Sequence, residues 1–325
     1  MHTILFITRV DRTYFIKKLL DYARMKSVKL IVLSDDDQNS CKLLVDNFIY
    51  MPSDINQKEF IKDIILRYSV EGIFVASNFD LLLLKRLDEW LTEKGIVYYG
   101  PKHDYIDVCL SKRKHNQLLK QLHLKSPNTY EIDDIIKQHR EDIYPLIIKP
   151  DYGQGSTNIS LVFSLNELTK NYYNRNEFIA QEKIIGQEYT VDCFTDKAGE
   201  LLLCVPRLRK KVVAGHSVIS MVCFDEEIEN LVEILNEKLK IFGPWNVQLF
   251  RNENGLIVHD INPRIANGII YSLNAGAPFE KLIVDSLIGV DSGIDLNYKS
   301  MINENADLYC YSACTEIINR RDVNI

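Results

Sequence analysis

Short β-rich runs alternate with helix-length segments along the first hundred residues, and this alternation restricts the fold more than any other feature of the chain. HTILFIT reads as a short buried strand, Arg12 to Met25 as a helix and VKLIVLS as a second strand. GIFVAS, a helix from Phe79 to Glu93, and GIVYYG continue the pattern as far as Gly100-Pro101. Strands separated by helices can join one sheet only through crossovers, so the pattern predicts a parallel sheet. No GxGxxG follows the first strand. The segment therefore lacks the main support for a dinucleotide site and is expected to help hold a substrate.

Beyond it, Ser111 is placed to cap a helix carrying Leu118, Leu119 and Leu122 at helical spacing, which ends before Ser126-Pro127. PLIIKP then enters the loop DYGQGSTN and leaves as NISLVFS, the pattern of a hairpin. From Glu177 onward, EFIAQEKI, EYTVDCFT, ELLLCVPRL, NVQLFRN and LIVHDIN read as strands, mixed with helices at Glu226 to Lys240 and Pro278 to Ile288.

Composition narrows the function classes. With 325 residues, 46% hydrophobic and 26% charged, the chain is expected to form two or three packed units. A net charge of −6 offers no basic footprint for nucleic acid. Seven scattered cysteines form no CxxC pair, which fits a reduced cytoplasmic setting. No signal segment is expected at the N-terminus, and the longest apolar cluster, Leu81 to Leu84, is far too short for a membrane span.

Two constellations carry chemistry. Lys149 stands at the end of a strand, followed by Gly153, Gly155 and Ser156; glycine backbone brings N–H groups close to phosphate oxygens, and the lysine adds a point charge. The spacing is not that of a P-loop, and an ordinary glycine turn beside a surface lysine would look the same. The second is Gln248 in NVQLF with Asp260, Asn262 and Arg264 in LIVHDINPR. Strand alternation puts Asp260 and Asn262 on one face, and an adjacent strand would bring Gln248 beside them. One carboxylate and two amide oxygens suit Mg2+, which shares its remaining positions with phosphates and water. Arg264 would then grip a transferring phosphoryl group. A polar turn closing a hairpin is the plainer reading.

Taken in order, PLIIKPDYGQGSTNI, FIAQEKIIGQEYTVDCF and NVQLFRNENGLIVHDINPR resemble the ATP-grasp superfamily, most closely its carbamoyl-phosphate-synthase-like branch. The likeness covers about residues 105–290. It implies a Rossmann-like parallel-sheet domain at residues 1–107, followed by an ATP-grasp fold of two α+β subdomains at 108–184 and 185–325. It also implies that Lys112 and Lys149 contact ATP phosphates, that Glu182, Lys183 and Ile184 form the adenine hinge, and that Glu188 holds the ribose. Gln248, Asp260 and Asn262 match its Mg2+ positions, Mn2+ being an allowed substitute, and Arg264 its catalytic arginine. Ser111 stands where aspartate is frequent, and Asp260 where glutamate is more usual. IANGIIYSLNAGAP, after Arg264, has fewer glycines than the superfamily's usual substrate loop.

In the basic segment Arg207 to Lys211, Arg209 is the candidate for a substrate carboxylate or phosphate, solvated strand charges being the alternative. His216 has no partner at metal-ligand spacing, and Cys310 and Cys314 read as packing residues. The implied activity is an ATP-dependent carboxylate–amine ligase that forms an amide or peptide bond through an acyl phosphate, with a homodimer compatible with it. The alternatives are a carboxy-phosphate or carbamate-type synthetase, against which the length is set, and a nucleotide-binding module without turnover.

Overall fold

The computed structural model describes residues 1–102, 105–153, 158–213, 215–290, 298–303 and 309–311. Its N-terminal part is a five-stranded parallel sheet in the order β3-β2-β1-β4-β5. The chain runs β1 (Thr3–Ile7), α1 (Thr13–Met25), β2 (Lys29–Ser34), β3 (Asn47–Tyr50), α2 (Gln57–Tyr68), β4 (Gly72–Val75), α3 (Asn78–Lys85), α4 (Asp88–Glu93) and β5 (Val97–Tyr98). Every residue of β1 and β4 is buried, as expected for strands covered on both faces. The strand order reverses between β1 and β4, so the loops leaving their carboxyl ends diverge and open a crevice.

A four-stranded antiparallel sheet follows, ordered β6-β9-β7-β8. It comprises α5 (Ile106–Leu110), α6 (Lys112–Gln121), β6 (Thr129–Tyr130), α7 (Ile132–Lys137), β7 (Leu146–Pro150), β8 (Ser160–Val162), α8 (Leu165–Tyr172) and β9 (Phe178–Glu182). The third sheet, six-stranded and antiparallel, has the order β14-β13-β10-β11-β12-β15. Its elements are β10 (Gln187–Thr195), β11 (Leu201–Val213), β12 (His216–Val222), α9 (Glu226–Leu239), β13 (Gly243–Asn252), β14 (Gly255–Asn262), α10 (Ile269–Asn274), α11 (Phe279–Leu287), α12 (Tyr298–Asn303) and β15 (Tyr309–Tyr311). This is the expected parallel sheet followed by two α+β units. No helix among the described residues is long and apolar enough to cross a membrane.

Three local outcomes differ from the sequence expectations. The single helix from Phe79 to Glu93 is two, because the chain tightens where Leu87 N–H donates to Leu84 at 2.8 Å. Leu84, Leu87 and Leu91 bury in one cluster across that break, so the apolar periodicity does not register it. Residues 35–70, given no elements from the sequence, hold β3 and α2; Asn56 caps α2 by accepting from Glu59 N–H. β12 also escaped the strand assignments.

Burial joins the parallel sheet to the six-stranded one. Phe6 stacks on Phe74 with ring centroids 4.4 Å apart, Tyr99 meets Phe194 edge-on at 5.9 Å, and α11 packs into the same cluster. The Tyr99 hydroxyl donates to the Ile283 carbonyl at 2.8 Å, and Tyr22 of α1 donates to Asp285 of α11 at 2.7 Å. Gly243, at φ +89°, lies so close beneath the Tyr99 ring that a Cβ there would sit 2.3 Å from ring carbons. Gly243→Ala should therefore lower stability by well over the roughly 1 kcal/mol expected from left-handed alanine alone. The comparison is Gly95→Ala, at φ +70° with nothing within 4 Å, in parallel urea denaturations. Equal losses for the two variants would refute the close packing.

Candidate active site

The site is built on the β13–β14 pair. Their antiparallel register sets Gln248 opposite Asp260 and Asn246 opposite Asn262. Asn262 Nδ2 donates to Asp260 Oδ2 at 3.0 Å, so the two side chains share one face as alternation requires. Asn246, absent from the sequence candidates, supports the turn beyond β14: its Nδ2 donates to the Arg264 carbonyl at 3.0 Å. Arg264 then reaches back, Nη1 to the Ile265 carbonyl at 2.9 Å and Nη2 to Asn262 Oδ1 at 3.3 Å.

The two lysines approach from different elements, β7 of the four-stranded sheet and helix α6. Lys149, on β7, is 6% exposed, and its ammonium reaches the His259 carbonyl at 3.5 Å. Lys112, the first residue of α6, is 7% exposed and contacts the carbonyls of Asp151 and Gly153 at 3.3 and 3.4 Å. Neither lysine has a carboxylate within ion-pair distance among the described residues, although buried lysine is rare without one. Ser111 caps α6 as expected, accepting from Lys114 N–H at 3.3 Å. Its hydroxyl also donates to the Asp151 carboxylate at 3.0 Å, which in turn pairs with Arg113 at 3.1 Å. Asp151 thereby fastens the start of the glycine loop to the start of α6.

Electrostatics follow from this crowding. Burial alone would raise the Asp260 carboxyl pKa, but the charges of Lys112 and Lys149, with smaller contributions from His115 and His259, hold it well below the usual carboxylate range. Lys149 is lowered to about 8 by burial, Asp260 opposing the shift and Lys112 adding to it. Arg264 falls to about 10 through burial, again opposed by Asp260. His115, beneath Asp260 on α6, is driven down to about 3, chiefly by burial, and is neutral.

Lys112, Lys149, Gly153, Arg209, Gln248, Asp260, Asn262 and Arg264 all line one cavity of about 620 Å³. Gly155 and Ser156 lie outside the described residues. Glu182, Lys183, Ile184 and Glu188 are not among the residues lining that cavity. Glu182 accepts from the backbone N–H and Nδ2 of Asn128 at 3.0 and 2.8 Å, fastening β9 to the segment before β6. Arg209 is less free than a substrate arginine was expected to be. Its Nε donates to Ser217 at 2.9 Å, one terminal nitrogen to the Gly215 carbonyl at 2.6 Å, and the other pairs with Glu188. Arg207 is likewise paired, with Asp192 at 2.8 Å. The N-terminal loop contributes Arg12, which the sequence reading had absorbed into a helix start.

The described cysteines, Cys41, Cys109, Cys193, Cys204 and Cys223, are free thiols. Cys310 lies on β15, and Cys314 lies outside the described residues. Among the described residues no group of three His, Cys, Asp or Glu side chains could hold a metal by itself. A metal at Asp260 would have to share its coordination with amides and phosphates.

The Glu188–Arg209 pair can be tested apart from any ligand, since the Arg209 side chain is 7% exposed. Glu188→Ala leaves that charge buried and should cost about 3 kcal/mol of stability. Adding Arg209→Met should recover most of it. A double-mutant cycle in denaturant measures this, and additive losses would show the two residues to be uncoupled.

The family model described as "ATP-grasp in the biosynthetic pathway with Ter operon" matches residues 174–306. The large chain of carbamoyl phosphate synthase from Thermoanaerobacter sp. (strain X514) is 26% identical over 235 residues, 66% of this chain and 22% of that one. The same protein from Clostridium perfringens (strain SM101 / Type A) is 22% identical over 308 residues, 88% of this chain and 28% of that one. The chain thus spans about a quarter of the length of these curated relatives. Among solved structures, the biotin carboxylase domain dimer of Hydrogenobacter thermophilus 2-oxoglutarate carboxylase, with MgADP, ADP and bicarbonate, matches with a TM-score of 0.74 at 16% identity. That match covers 91% of this chain and 71% of the other. N5-carboxyaminoimidazole ribonucleotide synthetase from Thermotoga maritima matches at 0.67 and 19% identity, covering 90% and 77%. At such identities the likeness to these structures is one of fold. The sheet order and these matches show a likeness of fold to these enzymes, and the family model shows a likeness to ATP-grasp proteins over residues 174–306.

Proposed function

We propose that the protein uses MgATP to phosphorylate a carboxylate-class oxyanion in this cavity and passes the activated group to a second substrate. The observation that carries the reading is the convergence on one cavity of two buried lysines with no carboxylate in ion-pair distance among the described residues, one ionised carboxylate, two amides and a guanidinium. Phosphoryl transfer needs positioning and charge neutralisation rather than a protein nucleophile, and this set supplies both. Lys112 and Lys149 hold the nucleotide phosphates, with Gly153 at the base of the loop beside them. Asp260, Asn262 and Gln248 present oxygen donors on facing strands and fit Mg2+, which when bound neutralises phosphate charge. Arg264 faces the transferred group. Glu182, Lys183, Ile184 and Glu188 stand on the connection between the two sheets, and we assign adenine and ribose to that side.

Bicarbonate is the favoured oxyanion. The sequence relatives include carbamoyl phosphate synthases, and solved structures similar in fold include carboxylases, one with bicarbonate and MgADP bound. This favours a carboxy-phosphate synthetase over the amide ligase expected from the sequence, which remains the second reading because a bulkier carboxylate fits the same residues. In either case a substrate oxygen attacks the γ-phosphorus, the bond to the β-phosphate oxygen breaks, and ADP leaves with that electron pair. The nucleophile of the second substrate then attacks the carbonyl carbon, losing its proton as phosphate departs.

Bicarbonate-dependent ADP release without any added amine is the decisive measurement. Dependence on an added amino acid in place of bicarbonate would overturn the carboxy-phosphate reading in favour of the amide ligase. Arg264→Met should lower kcat by about a hundredfold or more with little change in ATP affinity, because a contact that strengthens in the transition state acts on the barrier. Asp260→Ala should abolish Mg2+-dependent turnover in a folded protein. ADP release at the parent rate in either variant would remove that residue from the site.

A further inference from the structure

We infer that Arg12 binds an anionic group, a carboxylate or a phosphate monoester, on the second substrate, at the end of the cavity facing the N-terminal sheet. The inference rests on reading the cavity as an MgATP site with Arg264 at the reacting end, and it adds what the acceptor must carry.

Charge accounting leads to it. Six basic and two acidic side chains line the cavity. Arg207 and Arg209 are answered by Asp192 and Glu188. Of the acids, Asp11 is exposed and accepts from Ser40, while Asp260 is the partner of the proposed metal. Nucleotide phosphates answer Lys112 and Lys149, and the oxyanion being phosphorylated answers Arg264. Arg12 is left. It is 6% exposed and has no ion pair among the described residues. A buried guanidinium cannot shed its charge as lysine can, so it calls for an anion that the described residues do not supply.

Geometry points the same way. Arg12 lies at the end of the loop that leaves β1, at the reversal of strand order where ligands of open parallel sheets bind. Its Nη1 donates to the Ala266 carbonyl at 3.2 Å and Nη2 pairs with Asn267 Oδ1, while Arg264 Nη1 donates to the adjacent Ile265 carbonyl at 2.9 Å. Consecutive carbonyls of one loop therefore hold two guanidiniums side by side. The Nε of each is buried without a hydrogen-bond partner among the described residues. A bolt between the N-terminal sheet and this loop would need only the two terminal nitrogens, and an amide would serve. The unmet donors and the charge belong to a ligand.

Calorimetric titration tests this with glycerol 3-phosphate and propionate as anionic probes and uncharged 1,2-propanediol as control. Mg2+ and a non-hydrolysable ATP analogue are present to fill the phosphate site. One or both anions should bind and propanediol should not, the tighter anion identifying the group. Arg12→Gln should weaken that binding at least about tenfold, as expected for a lost charge-assisted contact. Asn267→Ala, at an exposed position that frees one Arg12 nitrogen without disturbing the core, should weaken it severalfold. Lys149→Ala should lose nucleotide but keep the anion. No anion binding, equal binding in folded Arg12→Gln, or anion binding lost in Lys149→Ala while kept in Arg12→Gln would overturn the inference. Failure of the ATP analogue alone to bind sinks the nucleotide reading and leaves the anion titrations to decide Arg12 independently.

Discussion

One half-buried carboxylate organises the site. Asp260, on β14, stays charged because Lys112 faces it from α6 and Lys149 from β7. α6 packs against β14, whereas β7 belongs to the four-stranded sheet, so the Lys149 part of this balance depends on how that sheet meets the six-stranded one. The same balance leaves the site short of negative charge. Burial lowers the Lys149 pKa, and the repulsion from Lys112 lowers it further.

Around that centre the remaining polar residues act as braces. Asp151 gathers Ser111, Arg113 and the carbonyl contact of Lys112 at the root of the glycine loop, tying the end of β7 to the start of α6. Asn246 holds the turn from which Arg264 projects, and Asn262 links that turn back to Asp260. The N-terminal sheet, joined through Phe74, Tyr99 and α11, closes the cavity's far end and brings Arg12 to it.

The local logic of the site was legible in the sequence. Alternation along LIVHDIN put Asp260 and Asn262 on one face, and the strand-to-loop transition at Lys149 marked the β7–β8 hairpin, because side-chain period and glycine freedom are local properties. The parallel N-terminal sheet followed from strand and helix alternation in the same way. Less visible were β12 and the break at Leu87, where the apolar pattern continues through a change of backbone.

What the sequence by itself determined is many of the strands and helices, the order of the polar segments around the cavity and the residue types each one offers, since these depend on neighbours a few positions away. Which charges are spent internally and which remain for a ligand was decided only by tertiary structure. Arg207 and Arg209 look like free cations in a basic run, yet Asp192 and Glu188 neutralise them across the β10–β11 pairing. Arg12 looked like the first residue of a helix, yet the carbonyl of Ala266, 254 positions away, holds it in the same cavity as Arg264, which the adjacent Ile265 carbonyl holds. Coulomb energy depends on distance and burial, and both are set by how sheets separated in the chain come to face one another.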